Sequence, residues 1–433
     1  MLVLVGSLLL APARAGAHGD VPLARRLESL PGEDGPTNWV LSTNFGVMTS
    51  SDPDGYVCEE SFRGGIDFQI AVLGVHQWVL FTEGRILRTD DGCTFETVRM
   101  LPARPRDVAV RRSSDRVAFT HNGAELAGLW TSDDGGDRFE RTLQRDGFHF
   151  GSVEFTAEGR PIVAGYPTGA DVEQRGAARF LFGGTSVEVR RLDAFRYPKL
   201  LAVRAGQIAW LGRRNGEIVV NWGTPDDLDR HSHRVAATPS SAAFSADGST
   251  LWIAGVGKPS AGGGTSQSRG FLVGTSTAGG NVRFERRFED HSALCVETAA
   301  GEVYVCGKRG RDGADLQRAT GSGELVDVLD FRDLRGPSDR CSTQSDVGSA
   351  CPAVWPDLAH ALEIEAGGDA GEGDTIDDAG AGGDVVRPKQ RADMDASGCS
   401  VGKRAGRRPG APGWLLCLIG GLSLARSRRR GRR

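Results

Sequence analysis

Lysine is scarce in this chain, with five residues against 47 arginines in 433. We read that skew as codon usage, not as function. The formal net charge is −4, and no basic patch is interleaved with aromatics, which argues against a nucleic-acid partner. Tyrosine is rarer still, at four residues, and aromatics make up 7% of the chain. No G-x-S-x-G elbow, P-loop or H-E-x-x-H helix is present. No apolar stretch reaches the length of about 18 residues that marks a membrane-spanning helix. His231-Ser232-His233 is the one close histidine pair. It has no evident third ligand, so a solvated loop is expected there, with no metal and no cofactor.

Glycine is plentiful, at 61 residues, and two families of short strands recur. One family reads WVLST (from Trp39), WVLFT (Trp78), VAFT (Val117), IVAG (Ile162), AWLG (Ala209), WIAG (Trp252) and YVCG (Tyr304). The other runs into a turn at Thr49, Thr89, Thr131, Thr185, Thr224, Thr275 and Thr320. Alternating strands such as FETVRML, FERTL and VRFERRF follow most of these turns. The period is about 44 residues with four strands in each, which implies an all-β chain folded as a β-propeller. Seven four-stranded blades are expected over residues 38–340, with six or eight the nearest alternatives. A lone sheet of four strands cannot cover its own faces, whereas a ring of sheets covers each with its neighbour. Trp78, Trp130, Trp210, Trp222 and Trp252 are expected in the core between blades.

Ser132-Asp133-Asp134-Gly135-Gly136-Asp137-Arg138-Phe139 resembles the Asp-box, the S-x-D-x-G-x-T-W repeat of sialidase-like propellers. It carries Arg138 where that family has Thr, and Phe139 for Trp. Thr89-Asp90-Asp91-Gly92-Cys93-Thr94-Phe95 resembles it too, one residue shorter. The resemblance assigns Thr89, Asp91, Gly92, Phe95, Ser132, Asp134, Gly136 and Phe139 a structural role. It places them in peripheral turns between the two outermost strands of a blade. The three aspartates of 133–137 lack the bidentate Glu of an EF-hand loop, so calcium is not expected. Sialidase-like enzymes combine an arginine cluster with a Tyr nucleophile, a Glu base and an Asp acid. Tyr166 and Tyr197, each followed by Pro in a loop-like context, are the only plausible nucleophiles here. As an enzyme of that type, the chain would hold one of them beside a carboxylate at the ring centre. No catalytic residue is assigned.

Two long loops, Tyr166–Arg179 and Gly255–Arg269, fall between the second and third strands of their blades. They project from one face, where insertions often mark a binding surface. A protein or glycan ligand on a propeller face is therefore expected.

Eight cysteines suit an oxidising compartment. Opposite a two-residue turn at Ala300-Gly301, Cys295 and Cys306 become cross-strand neighbours, close enough to bridge. By proximity, Cys341 is paired with Cys351, and Cys58 with Cys93.

The ends carry addresses. Residues 1–17 read as a secretory signal peptide, with an apolar Leu2–Leu10 and A-x-A cleavage sites at Ala13–Ala15 and Ala15–Ala17. Residues 341–362 form a disulfide-stapled extension ending in a helix-like run, with Trp355 docking on the propeller. Residues 363–397 are an acidic, Gly-rich linker expected to be disordered. Residues 398–433 place Gly398-Cys399 before an apolar helix at 414–425 and a tail of six arginines, RSRRRGRR. This layout resembles the myxobacterial C-terminal sorting signal. The resemblance implies transient inner-membrane retention, cleavage near Cys399, a lipid anchor on that residue and display at the cell surface or outer membrane. An ordinary single-span anchor is the alternative, though 12 residues make only about 18 Å of helix. Three functions stay open: a non-catalytic binding or scaffolding module, a sialidase-like glycoside hydrolase, and a propeller-type periplasmic assembly factor.

Overall fold

The computed structural model describes residues 22–30, 38–63, 68–123, 125–169, 175–184, 186–255, 269–277, 280–307, 314–320 and 324–364. Ala15, Cys399, the signal peptide, the linker and the sorting signal lie outside them.

The described chain is built almost wholly of antiparallel strands. The first sheet takes β1 (Ala24–Leu30), β2 (Asn38–Thr43), β3 (Gly46–Thr49) and β4 (Asp52–Cys58) in order. The second takes β5 (Gln69–Val72), β6 (Trp78–Thr82), β7 (Arg85–Thr89) and β8 (Glu96–Met100). The third takes β9 (Asp107–Arg111), β10 (Arg116–His121), β11 (Gly128–Ser132) and β12 (Glu140–Leu143). A long fourth sheet runs through β13 (Phe148–Phe155), β14 (Pro161–Pro167), β15 (Ala177–Phe182), β16 (Glu188–Arg204), β17 (Gln207–Arg214), β18 (Glu217–Thr224) and β19 (Asp227–Val235). The fifth holds β20 (Ser241–Phe244), β21 (Thr250–Ala254), β22 (Arg269–Ser276) and β23 (Val282–Ser292). The sixth holds β24 (Cys295–Ala299), β25 (Glu302–Cys306), β26 (Leu316–Ala319) and β27 (Leu325–Leu329). A two-residue strand, β28 (Gly336–Pro337), pairs in parallel with the outer edge of β4.

Each sheet packs its faces on its neighbours. Val79, Phe81 and Ile86 of the second sheet meet Val108, Phe119 and Trp130 of the third. Ala109, Ala118 and Leu129 of the third meet Phe150, Val153 and Val163 of the fourth. The core therefore lies between sheets, and the chain is a β-propeller. Trp78, Trp130, Trp210 and Trp222 are buried in it, and Trp252 is half-buried.

Three expectations are corrected. Seven separate four-stranded sheets are not observed: five blade-sized sheets accompany one of seven strands. The cause is β16. Its first half pairs with β15 (Phe182 opposite Glu188) and its second with β17 (Arg204 opposite Gln207). The chain turns within the strand at Tyr197, whose φ of 53° is left-handed. Second, the propeller begins at Ala24, not residue 38. In the segment ARRLESL, Arg26 and Glu28 line the ring centre, and a register shift between Ala24 and Arg26 blurs the strand pattern. Third, Cys58 bridges Cys351 and Cys93 bridges Cys341. Proximity along the chain was the wrong guide, since the ring brings residues 341–351 back to the first two sheets. Cys295 bridges Cys306, the cross-strand pair of the expected register.

The ring closes where β1 packs on β24 and where the C-terminal extension crosses the first sheet. Helix α1 (Asp346–Ala361) starts on a Ser345 cap whose hydroxyl accepts from the Gly348 N–H. Trp355 of α1 lies 5.7 Å from Tyr56, and Phe331 lies 5.1 Å from Phe45. The two long-range bridges close loops of 293 and 248 residues. Chain-entropy arguments give each about 5 kcal/mol against the unfolded state.

Candidate functional site

The innermost strands run side by side around a central channel of about 670 Å³. Its wall is made by β1, β9, β13, the second half of β16, β20 and β24, together with Arg112. In an inner strand, alternate side chains face the opening while the others enter the inter-sheet core.

Carboxylates and cations share this wall. Glu28 accepts from Arg26 Nε at 2.7 Å and also from Arg112. Burial pushes its carboxyl up, but the two guanidiniums together hold it below the ordinary carboxylate range. Arg112 also donates to the Val72 carbonyl at 2.9 Å. Asp107 accepts from the Val153 N–H at 2.9 Å, yet burial holds its carboxyl above the ordinary value against the pull of Arg26. Burial, reinforced by Asp107, pushes Glu154 up to about 8. Burial, reinforced by Glu28, pushes Glu297 up to about 7, while Ser29 Oγ donates to it at 3.2 Å. Arg204 is tied to the wall through the Thr298 carbonyl (3.2 Å) and hydroxyl (3.1 Å). Glu154 and Glu297 thus stand above the ordinary carboxylate range beside the cations Arg26, Arg112, Lys199 and Arg204.

Neither Tyr166 nor Tyr197 lines the channel. Tyr166 is in β14 and Tyr197 at the turn inside β16, so neither is in a loop. Their rings meet edge to face at 5.1 Å, and Tyr166 stacks on His149 at 4.6 Å. His231 and His233 also lie in a strand, β19, and His233 stacks on Phe284 at 4.6 Å. Among the described residues no group of three potential metal ligands occurs.

The two acidic turns stand at the periphery, between the third and fourth strands of their sheets. Asp91 Oδ1 accepts from Thr89 Oγ1 (3.0 Å), the Cys93 N–H (2.7 Å) and the Thr94 N–H (2.8 Å). Thr89 Oγ1 in turn accepts from the Gly92 N–H at 2.8 Å. Asp134 Oδ1 accepts from Ser132 Oγ (2.7 Å) and the Arg138 N–H (3.0 Å), and Ser132 Oγ accepts from the Gly136 N–H at 2.8 Å. Gly136 has φ +94°, and a Cβ there would fall 2.4 Å from Val79 of the neighbouring sheet. Phe139 is buried against Phe81 and Phe119, and Phe95 lies 5.5 Å from Phe62.

No protein-family model and no curated protein matches the chain. Solved structures do. Hydrazine synthase of Kuenenia stuttgartiensis is similar over 57% of this chain and 75% of that one, at 12% identity and a TM-score of 0.41. The WD40 β-propeller domain of Doa1 is similar over 60% and 81%, at 12% and 0.40. The β-propeller domain of the Trilobed protease from Pyrococcus furiosus is similar over 59% and 80%, at 14% and 0.38. These likenesses carry no argument about activity.

The channel acids were missed by sequence reasoning. Glu28, Asp107, Glu154 and Glu297 are far apart along the chain and share no motif. The one usable signal was the presence of charge inside short strands that should be apolar. The three disulfides fit an oxidising, exported setting. No described helix is long and apolar enough to cross a membrane.

Proposed function

We propose that the chain is an exported, cell-surface-anchored propeller that binds a ligand without transforming it. Its turns at Thr89–Phe95 and Ser132–Phe139 are read as Asp-boxes with a structural role. The observation that carries the reading is the channel. Its arginines are committed to its own walls and to Glu28, and the two candidate tyrosines pack on each other at the rim. The C-terminal layout around Cys399 supports the surface address.

A second reading rests on Glu154 and Glu297. Carboxyls held at about 8 and 7 in a cavity are suited to acid–base work, which favours a glycoside hydrolase. One experiment separates the two. The full chain is incubated with fluorogenic glycosides, sialosides included, and titrated with surface polysaccharides and glycans. Binding without turnover is expected. Turnover abolished by Glu154→Gln would establish the enzyme instead. Protease treatment of intact cells should remove the propeller, and Cys399→Ala should leave it in the inner membrane.

A further inference from the structure

The tyrosines excluded from the channel belong to a second cluster on the ring. Arg106 precedes β9, His121 and Asn122 end β10, His149 begins β13, Tyr166 ends β14, and Tyr197 marks the turn in β16. In sheets of this order the starts of first strands and the ends of second strands lie at one end. All these residues therefore share one face, the one from which the Tyr166–Arg179 loop leaves.

Several features set this cluster apart. Tyr197 is 53% exposed, although its strand neighbours Phe195, Pro198 and Leu200 are buried. Its backbone is left-handed, a conformation that disfavours any residue with a Cβ. The loop base holds it there. The Tyr197 N–H donates to the Gly176 carbonyl at 2.8 Å, and the Gly176 N–H donates to the Pro167 carbonyl at 3.1 Å. A Cβ on Gly176 would lie 2.9 Å from the Tyr197 ring, so only glycine leaves room for it. The ring is thus held outward over the loop base, edge to face with Tyr166, which stacks on His149.

The charge is one-sided. Arg106 is exposed, and its guanidinium makes no ion pair among the described residues. Burial first, then the Arg106 charge, holds His149 below its usual range. Burial and Arg106 do the same for His121, opposed by its bond to the Ala103 carbonyl. Among the described residues no carboxylate acts on His121, His149 or Tyr166. Asn122 is already satisfied, bonding both ways with the Phe150 backbone at 2.7 and 2.8 Å. What remains for a visitor is one guanidinium, two phenols and an exposed ring face.

We propose that Arg106, Tyr166 and Tyr197 form a rim site for an acidic oligosaccharide, with a sugar ring on Tyr197 and its carboxylate on Arg106. This rests on the binding reading above and names its ligand class. A guanidinium and a carboxylate form a charge-assisted pair. An exposed phenol offers a flat apolar face with a polar edge. An acidic peptide fits less well. β14 is paired on both sides by β13 and β15, and β16 by β15 and β17, so no free strand edge here offers backbone bonds.

The test titrates the full chain by calorimetry with an α-1,4 galacturonate tetramer, the matching neutral galactose tetramer and hexaglutamate. The acidic sugar should bind tightest. Arg106→Gln should cut its affinity by about tenfold or more, down to that of the neutral sugar. Tyr197→Asn should weaken both sugars, and Asn tolerates the left-handed backbone, so the melting temperature checks that the fold is kept. Asp134→Ala, in a peripheral turn, should leave sugar affinity unchanged. The rim site is overturned if Arg106→Gln and Tyr197→Asn bind like the wild type. If Glu28→Gln then abolishes binding at an unchanged melting temperature, the ligand sits in the channel and the binding reading stands. Equal affinity for both sugars, tighter binding of hexaglutamate, or no binding of either sugar overturns the ligand class. A wild-type chain that binds nothing across the wider polysaccharide panel takes the binding reading down as well.

Discussion

Two sets of carboxylates in this propeller respond to the fold in opposite directions. Asp91, Asp134 and Asp247 sit in surface turns, and all three are held below the ordinary range. For Asp91 and Asp134, slight burial pushes up and is outweighed by N–H and O–H donors of the same turn. Asp247 is brought to about 2 by the hydroxyl of Ser245 and the N–H and hydroxyl of Ser249. Asp107, Glu154 and Glu297 line the channel and are held above it, because burial there outweighs the cations nearby. Glu28 is the informative exception. It shares the channel but takes two guanidiniums and falls below its ordinary value. Direction is set by whether the cations and donors that reach a carboxylate together outweigh its burial and its acidic neighbours.

The largest expected effect comes from removing that exception. Glu28→Ala leaves Arg26 and Arg112 in the channel without their carboxylate. Breaking a buried pair from one side typically costs about 3–5 kcal/mol, and about 3 is expected here because both arginines keep partial contact with solvent. Urea unfolding at pH 7 measures it. A loss below about 1 kcal/mol would mean the channel is wet enough to solvate both cations.

Next comes Glu154→Gln. The folded-state value of about 8 lies above the ordinary value of 4.5, so the folded chain binds this proton more tightly than the unfolded chain. The stability tied to it is fully present below about pH 4.5 and is lost as pH rises through about 8. While only the unfolded chain has released the proton, the contribution of this group falls steadily as pH rises. Glutamine keeps the shape and cannot ionise. The variant should therefore gain on the wild type from pH 5 to 8, and its unfolding midpoint should vary less with pH. Parallel pH profiles would show that Glu154 is solvated.

The same division explains what was readable in the sequence. The second and third strands of each sheet, such as WVLFT at β6 and LWTS within β11, are buried on both faces or end in a Thr/Ser turn, and their pattern survives in the letters. The inner strands do not read this way. In β1, β9 and β24 the channel side carries Arg26, Glu28, Asp107 and Glu297, which breaks the apolar alternation. The ring also decides which cysteines meet. Cys58 and Cys351 are brought together by closure of the whole circle, and no local spacing encodes that. The Asp-like turns were legible because each is local: a hydroxyl, a carboxylate and a glycine within five residues make the whole arrangement. The channel acids are the reverse case, assembled from β1, β9, β13 and β24, which lie in four different sheets.

The smallest effect should come from the turn itself. Asp134→Ala removes the acceptor for Ser132 Oγ and the Arg138 N–H, which in an exposed turn costs about 1 kcal/mol. The pH dependence should be opposite in sign to that of Glu154. A carboxyl held below its unfolded value of 3.8 stabilises above that pH, and the benefit is lost as pH falls through the folded value. Between pH 5 and 8 the gap between Asp134→Ala and wild type should stay constant, then narrow only in stronger acid. Unfolding midpoints at pH 8, 5 and 3 decide it. A gap that narrows or reverses toward pH 8 would place Asp134 with the channel group and dissolve the contrast between turn and channel.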